Sequence, residues 1–248
     1  MEIESGLLDG DPPDVAPQLL NKILVSRGVV ARIVEVEAYW GQHDPASHAF
    51  RGMTPRNATM FAGPGLLYVY RSYGIHWCAN VVLKEPGEAA AVLLRAIEPI
   101  EGFEVLAERR PRVARQFDLT NGPGKLCAGL GITFDDDGTD LLSPYSAVRL
   151  MSDGREPPPN PLITTRVGIT RAIEKPWRFA VPDNKWVSRG RPATPSAEPE
   201  LSSPAAAPES ANPAARTEST SPAAAPESGN SAAPNRSTNR PAPEGESQ

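Results

Sequence analysis

The last quarter of this chain cannot build a core. From Ser188 to Gln248 there are 61 residues, 11 of them proline, and Leu201 is the single large apolar side chain. Such a stretch buries too little to offset the entropy of ordering it. It carries one exact repeat, SPAAAPES, at Ser203–Ser210 and again at Ser221–Ser228. Two copies of a Pro/Ala octamer are low complexity and not a solenoid. The sequence therefore divides into one folded domain, 1–187, and a disordered Pro/Ala/Ser/Glu-rich tail, 188–248. Removing everything after Val187 is expected to leave stability and activity unchanged. The remaining 187 residues hold nearly all the Val, Ile, Leu and aromatic side chains, enough for a core without staples.

Cys78 and Cys127 are the only cysteines and no CxxC occurs, which excludes a disulfide scaffold and a cysteine zinc site. The N-terminus, MEIESGLLDGDPPD, is acidic without an apolar run, and nothing approaches the length of a membrane span. The expectation is a soluble protein of a reducing compartment: intracellular, cytoplasmic and, in a bacterium, nucleoid-associated. The net charge of −5 argues against a nucleic-acid partner. The tail, with five Arg and seven Glu, supplies −2 of it and the folded part −3. Yet Pro45 to Lys84 contains no Asp or Glu, and Arg51, Arg56, Arg71 and Lys84 stand there among Phe50, Phe61, Tyr68, Tyr70, Tyr73 and Trp77. A second basic run follows at Arg109, Arg110, Arg112 and Arg115. Interleaved cations and rings suit a phosphate backbone with stacked bases; composition alone favours an aromatic core segment with solvated arginines.

Helical spacing of Leu19, Leu20, Ile23 and Leu24 predicts a helix over Val15–Leu24, with Asp14 as N-cap and Gly28 beyond its end. VVARIVEVEAY, Val29–Tyr39, reads as a long strand. Gly41–Pro64 is a long loop with one helical turn near Asn57–Phe61, and such loops are usually functional. Leu66–Ser72 and Ile75–Leu83 read as a hairpin turning at Tyr73-Gly74. Ala89–Ile97 is a central strand, Ile100–Arg110 and Gly122–Leu130 are helices, and Ala147–Met151, Thr165–Thr170 and Arg178–Val181 are short strands. The class is α+β: a curved, mainly antiparallel sheet, a protruding hairpin and a few packed helices.

Alternation puts Glu35, Glu37 and Tyr39 on one strand face. Two carboxylates and a phenol at a strand end suit acid/base chemistry, or belong to an exposed face. Across the hairpin, Ile75, Trp77, Ala79, Val81 and Leu83 form the core face; His76, Cys78 and Asn80 share the other. Tyr73 at the turn is a wedge for stacked bases or a ring folded back over the sheet. Arg95, in the apolar run AAAVLLRAI, needs a carboxylate, a phosphate or carbonyls, with Glu35 or Glu37 as natural partners. Gly122-Pro123-Gly124-Lys125 opening a helix is able to cradle a phosphate. His43, Asp44 and His48 have a spacing that a metal would tolerate, but further ligands would come from far away. The acidic run Asp135–Asp140 resembles part of a calcium loop, yet Ser146 fills the slot of the required Glu, so it reads as a turn.

Four segments in order, IVEVEAYWGQHDPASHAFRG, TPRNATMFAGPGLLYVYRSYGIHWCANVV, AAVLLRAIEP and NGPGKLCAGLGI, resemble the alkyladenine (3-methyladenine) DNA glycosylase family of vertebrate type, not the helix-hairpin-helix type. The likeness covers most of residues 1–187; the tail has no counterpart. It implies a monofunctional enzyme that binds double-stranded DNA through the minor groove as a monomer, flips a damaged purine into a pocket and hydrolyses its N-glycosidic bond, with no cofactor or metal and no membrane. The family's catalytic glutamate falls on Glu37 and its water-supporting arginine on Arg95. Its pocket residues fall on Tyr39, His48, Tyr70 and Asn80, the last excluding guanine, and its intercalating tyrosine on Tyr73. His76 stands beside the pocket where many members have an aromatic, and Ala79 is small; both bear on substrate range. Arg56, Arg71 and Lys125 are the expected DNA contacts. Two other readings are a catalytically silent nucleic-acid-binding module of the same fold and a metal-dependent hydrolase built on His43, Asp44 and His48.

Overall fold

The computed structural model describes Met1, Ile3 and residues 6–190; the SPAAAPES repeat and the tail from 191 onward lie outside the described residues. The strands are β1 Ile23–Ser26, β2 Val29–Tyr39, β3 Leu67–Ser72, β4 His76–Val82, β5 Ala91–Glu101, β6 Val148–Met151, β7 Leu162–Thr164 and β8 Arg178–Ala180. They form one curved sheet in the order β3-β4-β5-β2-β1-β6, with β8 added beside β2 and β7 beside β8. Every pairing is antiparallel. Helices α1 Pro12–Gln18, α2 Phe103–Arg109 and α3 Pro123–Leu130 pack around it. The α+β class and the antiparallel sheet are as the sequence implies.

β2 is the spine. Its first half pairs with β1 and its second half with β8, while β5 runs along its whole other side. The main core gathers on one face of this spine, with Leu19, Leu24, Ile33, Val36, Leu94, Ile97, Leu106 and Leu126 among its buried members. A smaller apolar cluster of Ala49, Met60, Phe61, Tyr68, Val82 and Ala91 forms under the long loop.

Four local expectations are corrected. The helix expected over Val15–Leu24 ends at Gln18, because Asn21 takes a left-handed φ of 67° and its N–H turns to the Ile33 carbonyl of β2. Ile23 and Leu24 are strand residues. Arg27 (φ 44°) and Gly28 (φ 86°) make a two-residue turn into β2, the geometry that matches strand twist. The helix expected from Ile100 starts only at Phe103, since β5 runs on to Glu101. The strand expected at Thr165–Thr170 lies earlier, as β7; Arg166 is committed to side-chain pairing and Gly168 (φ 74°) breaks the extended backbone. Ile75, expected in the core face of β4, is 69% exposed because it belongs to the hairpin turn.

The folded region also runs past 187. Ser188 is buried and bonded to Glu35, and the chain remains described through Gly190.

Candidate active site

The site begins with a fault in the ladder between β2 and β5. Ile33 pairs with Ile97, Glu35 with Ala96, and Val36 with Leu94, so Val34 and Arg95 are each skipped. Such bulges re-aim side chains. Core residues on β2 run Val29, Ala31, Ile33 before the fault and Val34, Val36, Ala38 after it. That leaves Glu35, Glu37 and Tyr39 on the opposite face, with Arg95 turned to meet them.

Neither carboxylate lies on an exposed face; both are fully buried. Glu35 Oε1 accepts hydrogen bonds from Arg95 Nε and Arg178 Nε, each at 2.7 Å, and from Ser188 Oγ at 2.8 Å. Its Oε2 accepts from the Ser188 N–H at 2.6 Å. Glu37 Oε1 accepts from the Val167 N–H at 2.7 Å and lies 3.2 Å from Arg95 Nη1. Glu37 Oε2 accepts from the Tyr39 hydroxyl at 3.0 Å. Burial alone would raise the Glu35 pKa, but Arg95, Arg178 and the Ser188 N–H outweigh it and hold the carboxyl below its ordinary value. Burial likewise works against the Arg95 charge, and Glu37 and Glu35 more than restore it, so Arg95 stays a cation.

In front of this wall opens a cavity of about 650 Å³, within the size range of small-ligand pockets. Tyr39, Arg95 and Val167 line it and hold the Glu37 carboxylate immediately behind them. The other walls are His48, Tyr68, Tyr70 and Asn80. The His48 ring meets Tyr70 edge-on at 4.4 Å between centroids, and its Nδ1 is 3.2 Å from the Tyr68 hydroxyl. Tyr68 stacks on Tyr70 at 5.7 Å, and Asn80 donates to the Tyr68 carbonyl at 3.0 Å. Burial, with Glu37 adding to it, raises the Tyr39 pKa, and burial pushes Tyr68 up to about 12 and Tyr70 higher still. Burial and the nearby Arg56 lower the His48 pKa. The aromatic walls are therefore uncharged near neutral pH.

The long loop after β2 is held by its own side chains. Asn57 donates to the His48 and Gly52 carbonyls and accepts from the Thr54 N–H and hydroxyl. At Gly41 (φ 39°) a Cβ would sit 2.0 Å from the Ala89 carbonyl oxygen, so only glycine lets the loop turn this tightly against the sheet.

Asp44, one of three candidate metal ligands, is spent elsewhere. It pairs with Arg166, whose Nη2 lies 2.9 Å from Asp44 Oδ1 and whose Nη1 donates to the Ala38 carbonyl. Both side chains are fully buried, and the guanidinium sits 4.6 Å from the Tyr39 ring centre. His43 instead rests against Trp40. Among the described residues no cluster of His, Cys, Asp or Glu has the makings of a metal site. The run Asp135–Asp140 is used in turns, Asp137 accepting from Thr59 and the Val69 N–H.

Tyr73 stands at the mouth, 85% exposed, on the hairpin tip with φ 50°. Arg56 and Arg71 also border the mouth, Arg56 Nη2 donating to the Arg71 carbonyl. Two expected site residues are not with them. His76 lies outside the cavity, exposed on the hairpin arm beside Gly124 of α3. Lys125 does not line the cavity and is tied to Asp118 and Asn121. The sequence did not single out Arg166, Val167, Arg171, Arg178 or Ser188, although all five contribute to this site or its mouth. The cations in ITTRVGIT and PWRFAV were the available signal, being isolated charges in apolar context as Arg95 is.

The cavity thus has an exposed tyrosine at its rim, neutral aromatic walls and a buried carboxylate–guanidinium wall behind it. Residues 7–185 match the family model of methylpurine-DNA glycosylase. This chain belongs to that family. A Burkholderia lata relative is 49% identical over 71% of this chain and 85% of its own length. One from Nocardia farcinica is 46% identical over 75% of this chain and 92% of its own. A Rhodopseudomonas palustris relative is 47% identical over 71% and 85%. All three are provisionally named 3-methyladenine DNA glycosylases. Membership makes this chain a DNA N-glycosylase of base-excision repair, a hydrolase that binds DNA carrying damaged bases. No helix among the described residues is long and apolar enough to cross a membrane.

Proposed function

We propose that this glycosylase acts as an intracellular monomer, approaches duplex DNA from the minor groove and rotates the damaged purine out of the stack into the cavity. Reacting atoms inside a duplex are inaccessible, so extrusion must precede chemistry. Tyr73 fills the gap, and Arg56 and Arg71 beside it take the phosphates. The purine then lies among Tyr39, Tyr70 and His48. Neutral rings favour a base that alkylation has made cationic or electron-poor. Asn80 meets the purine edge and disfavours guanine through its exocyclic amine.

Glu37 is the general base, taking a proton from the water that attacks the anomeric carbon. The departing base pulls electrons from the sugar, and the carboxylate stabilises the oxocarbenium-like charge that develops. Arg95, on the cavity wall, orients that water. The observation carrying this reading is the Glu37 carboxylate fixed by Tyr39, Val167 and Arg95 directly behind an aromatic cavity. A lyase step needs an amine nucleophile, and the described residues that line the cavity include no lysine. Incubation with methylated and with hypoxanthine-containing duplex should release free bases and leave abasic, uncut strands. Strand cleavage, or a covalent DNA adduct trapped by borohydride, would overturn the hydrolytic assignment.

A further inference from the structure

Two carboxylates and two guanidinium groups share the space behind the cavity, and they are not matched in pairs. The Arg95 Nε contact, 2.7 Å, goes to Glu35, and only Nη1 reaches Glu37, at 3.2 Å; both carboxylates lie behind the residues that line the cavity. Arg178 also spends its Nε on Glu35, at 2.7 Å, although it is the cross-strand partner of Glu37. Glu35 is therefore the junction through which both cations are divided. Ser188 completes it with two donors to the same carboxylate.

The groups around Glu37 are few. β5 contributes Arg95, β8 contributes Arg178, and β2 contributes Glu35 and Tyr39. β3 contributes Tyr70 and β4 contributes Cys78, both kept protonated by burial. The loop after β7 adds the Val167 N–H, with Arg166 behind Tyr39. Glu37 thus meets the Arg95 cation directly, with Arg178 opposite it on β8 and Glu35 drawing on both, in a buried wall where each charge acts strongly.

We propose that Glu35 and Arg178 are positioning residues that set how much of the Arg95 charge reaches Glu37. This rests on the reading of Glu37 as the base. Without the Glu35 charge, Arg95 and Arg178 both serve Glu37, whose negative charge is then held more firmly and draws a proton from water less readily. Without Arg178, Glu35 takes Arg95 for itself, and the Glu37 charge loses its stabilising cation. Losing both charges restores the balance, one cation to one carboxylate.

Single-turnover base release from methylated duplex DNA, followed against pH, tests this in the full-length protein. N-methylated purines that are already cationic leave without being protonated, so the acidic limb of the profile reports the base. Glu35→Gln should move that limb down and Arg178→Gln should move it up, each by about one pH unit. The double variant should return it to the wild-type position, and Arg178→Lys should lie closer to wild type than Arg178→Gln. Shifts in the same direction, or none, would overturn the proposal. Should a single variant be too unstable to assay, the double variant decides, because a limb displaced by a full unit contradicts the balance. Glu37→Gln runs alongside: if it keeps wild-type turnover, the assignment of the base fails; if it is inactive while the limbs stay fixed, only the present proposal fails.

Discussion

Tyr39 and Tyr73 belong to the same rim-to-wall path, yet their surroundings are opposites. Tyr39 has its hydroxyl committed to Glu37, a buried guanidinium 4.6 Å from its ring centre, and the Arg166–Asp44 pair behind that. Tyr73 has 85% of its surface in solvent on the tight hairpin turn between Ser72 and His76. The wall is over-determined, every carboxylate oxygen of Glu35 and Glu37 having a donor. The tip is free. Chemistry on a bond needs fixed groups, because reorganising them during reaction costs rate. Engagement of a duplex needs a group that finds its partners only when DNA arrives. If this contrast is right, damage to the wall should abolish turnover, and damage to the tip should change which DNA is used.

The largest effect belongs to Glu37. Glu37→Gln keeps the shape and an acceptor for the Val167 N–H but removes the base. Base release should fall by on the order of 10²-fold or more, while affinity for damaged duplex persists. Turnover near that of the wild type would place the chemistry elsewhere.

Tyr73→Ala comes next. Extruding a paired base costs a few kcal/mol, and the ring offsets part of that cost. Release from a matched hypoxanthine duplex should drop by roughly 10-fold. A bubble or an opposing abasic site makes extrusion easier, so activity there should fall less. The melting temperature should not move, since the ring is exposed. Equal losses on both substrates with a lower melting temperature would make the tip part of the wall.

The smallest effect concerns where the wall ends. Ser188 donates twice to Glu35, so truncation after Val187 leaves a buried carboxylate short of donors. That should cost about 1–3 kcal/mol and slow base release severalfold. Truncation after Gly190 should do neither, because the removed stretch has almost nothing to bury. Indistinguishable melts for the two truncations would show that Ser188 contributes nothing to the wall.

Most of the fold was legible because it rests on local signals. The β-branched run predicted β2 to the residue, Val29–Tyr39, and the Tyr73-Gly74 turn predicted the hairpin. Ambiguity arose where one pattern fits two structures. Leu19, Leu20, Ile23 and Leu24 are buried in either a helix or a hairpin, and the Arg27-Gly28 turn decides between them. Arg95 announced its need for a carboxylate, and both candidates proved to be its partners. The rest of the wall was hidden because its contacts are distant in sequence. Arg166 meets Asp44 across 122 residues and Ser188 meets Glu35 across 153, and no local spacing encodes such meetings. Asp44 was ambiguous for the same reason, since an aspartate between two histidines looks the same whether its partner is a metal or an arginine.

The fault between β2 and β5 has a consequence for how the chain finds its fold. Strand side chains repeat every two residues, so a one-residue slip turns every side chain to the other face. In β2 that slip would drive Glu35 and Glu37 into the packing of Val36, Leu94 and Ile97. Unpaired carboxylates in apolar surroundings are among the most costly things a protein can bury. The two acids thus act as a registration mark for the whole sheet. A misaligned β2 would carry that cost, so the two buried acids disfavour the slipped register as well as walling the cavity.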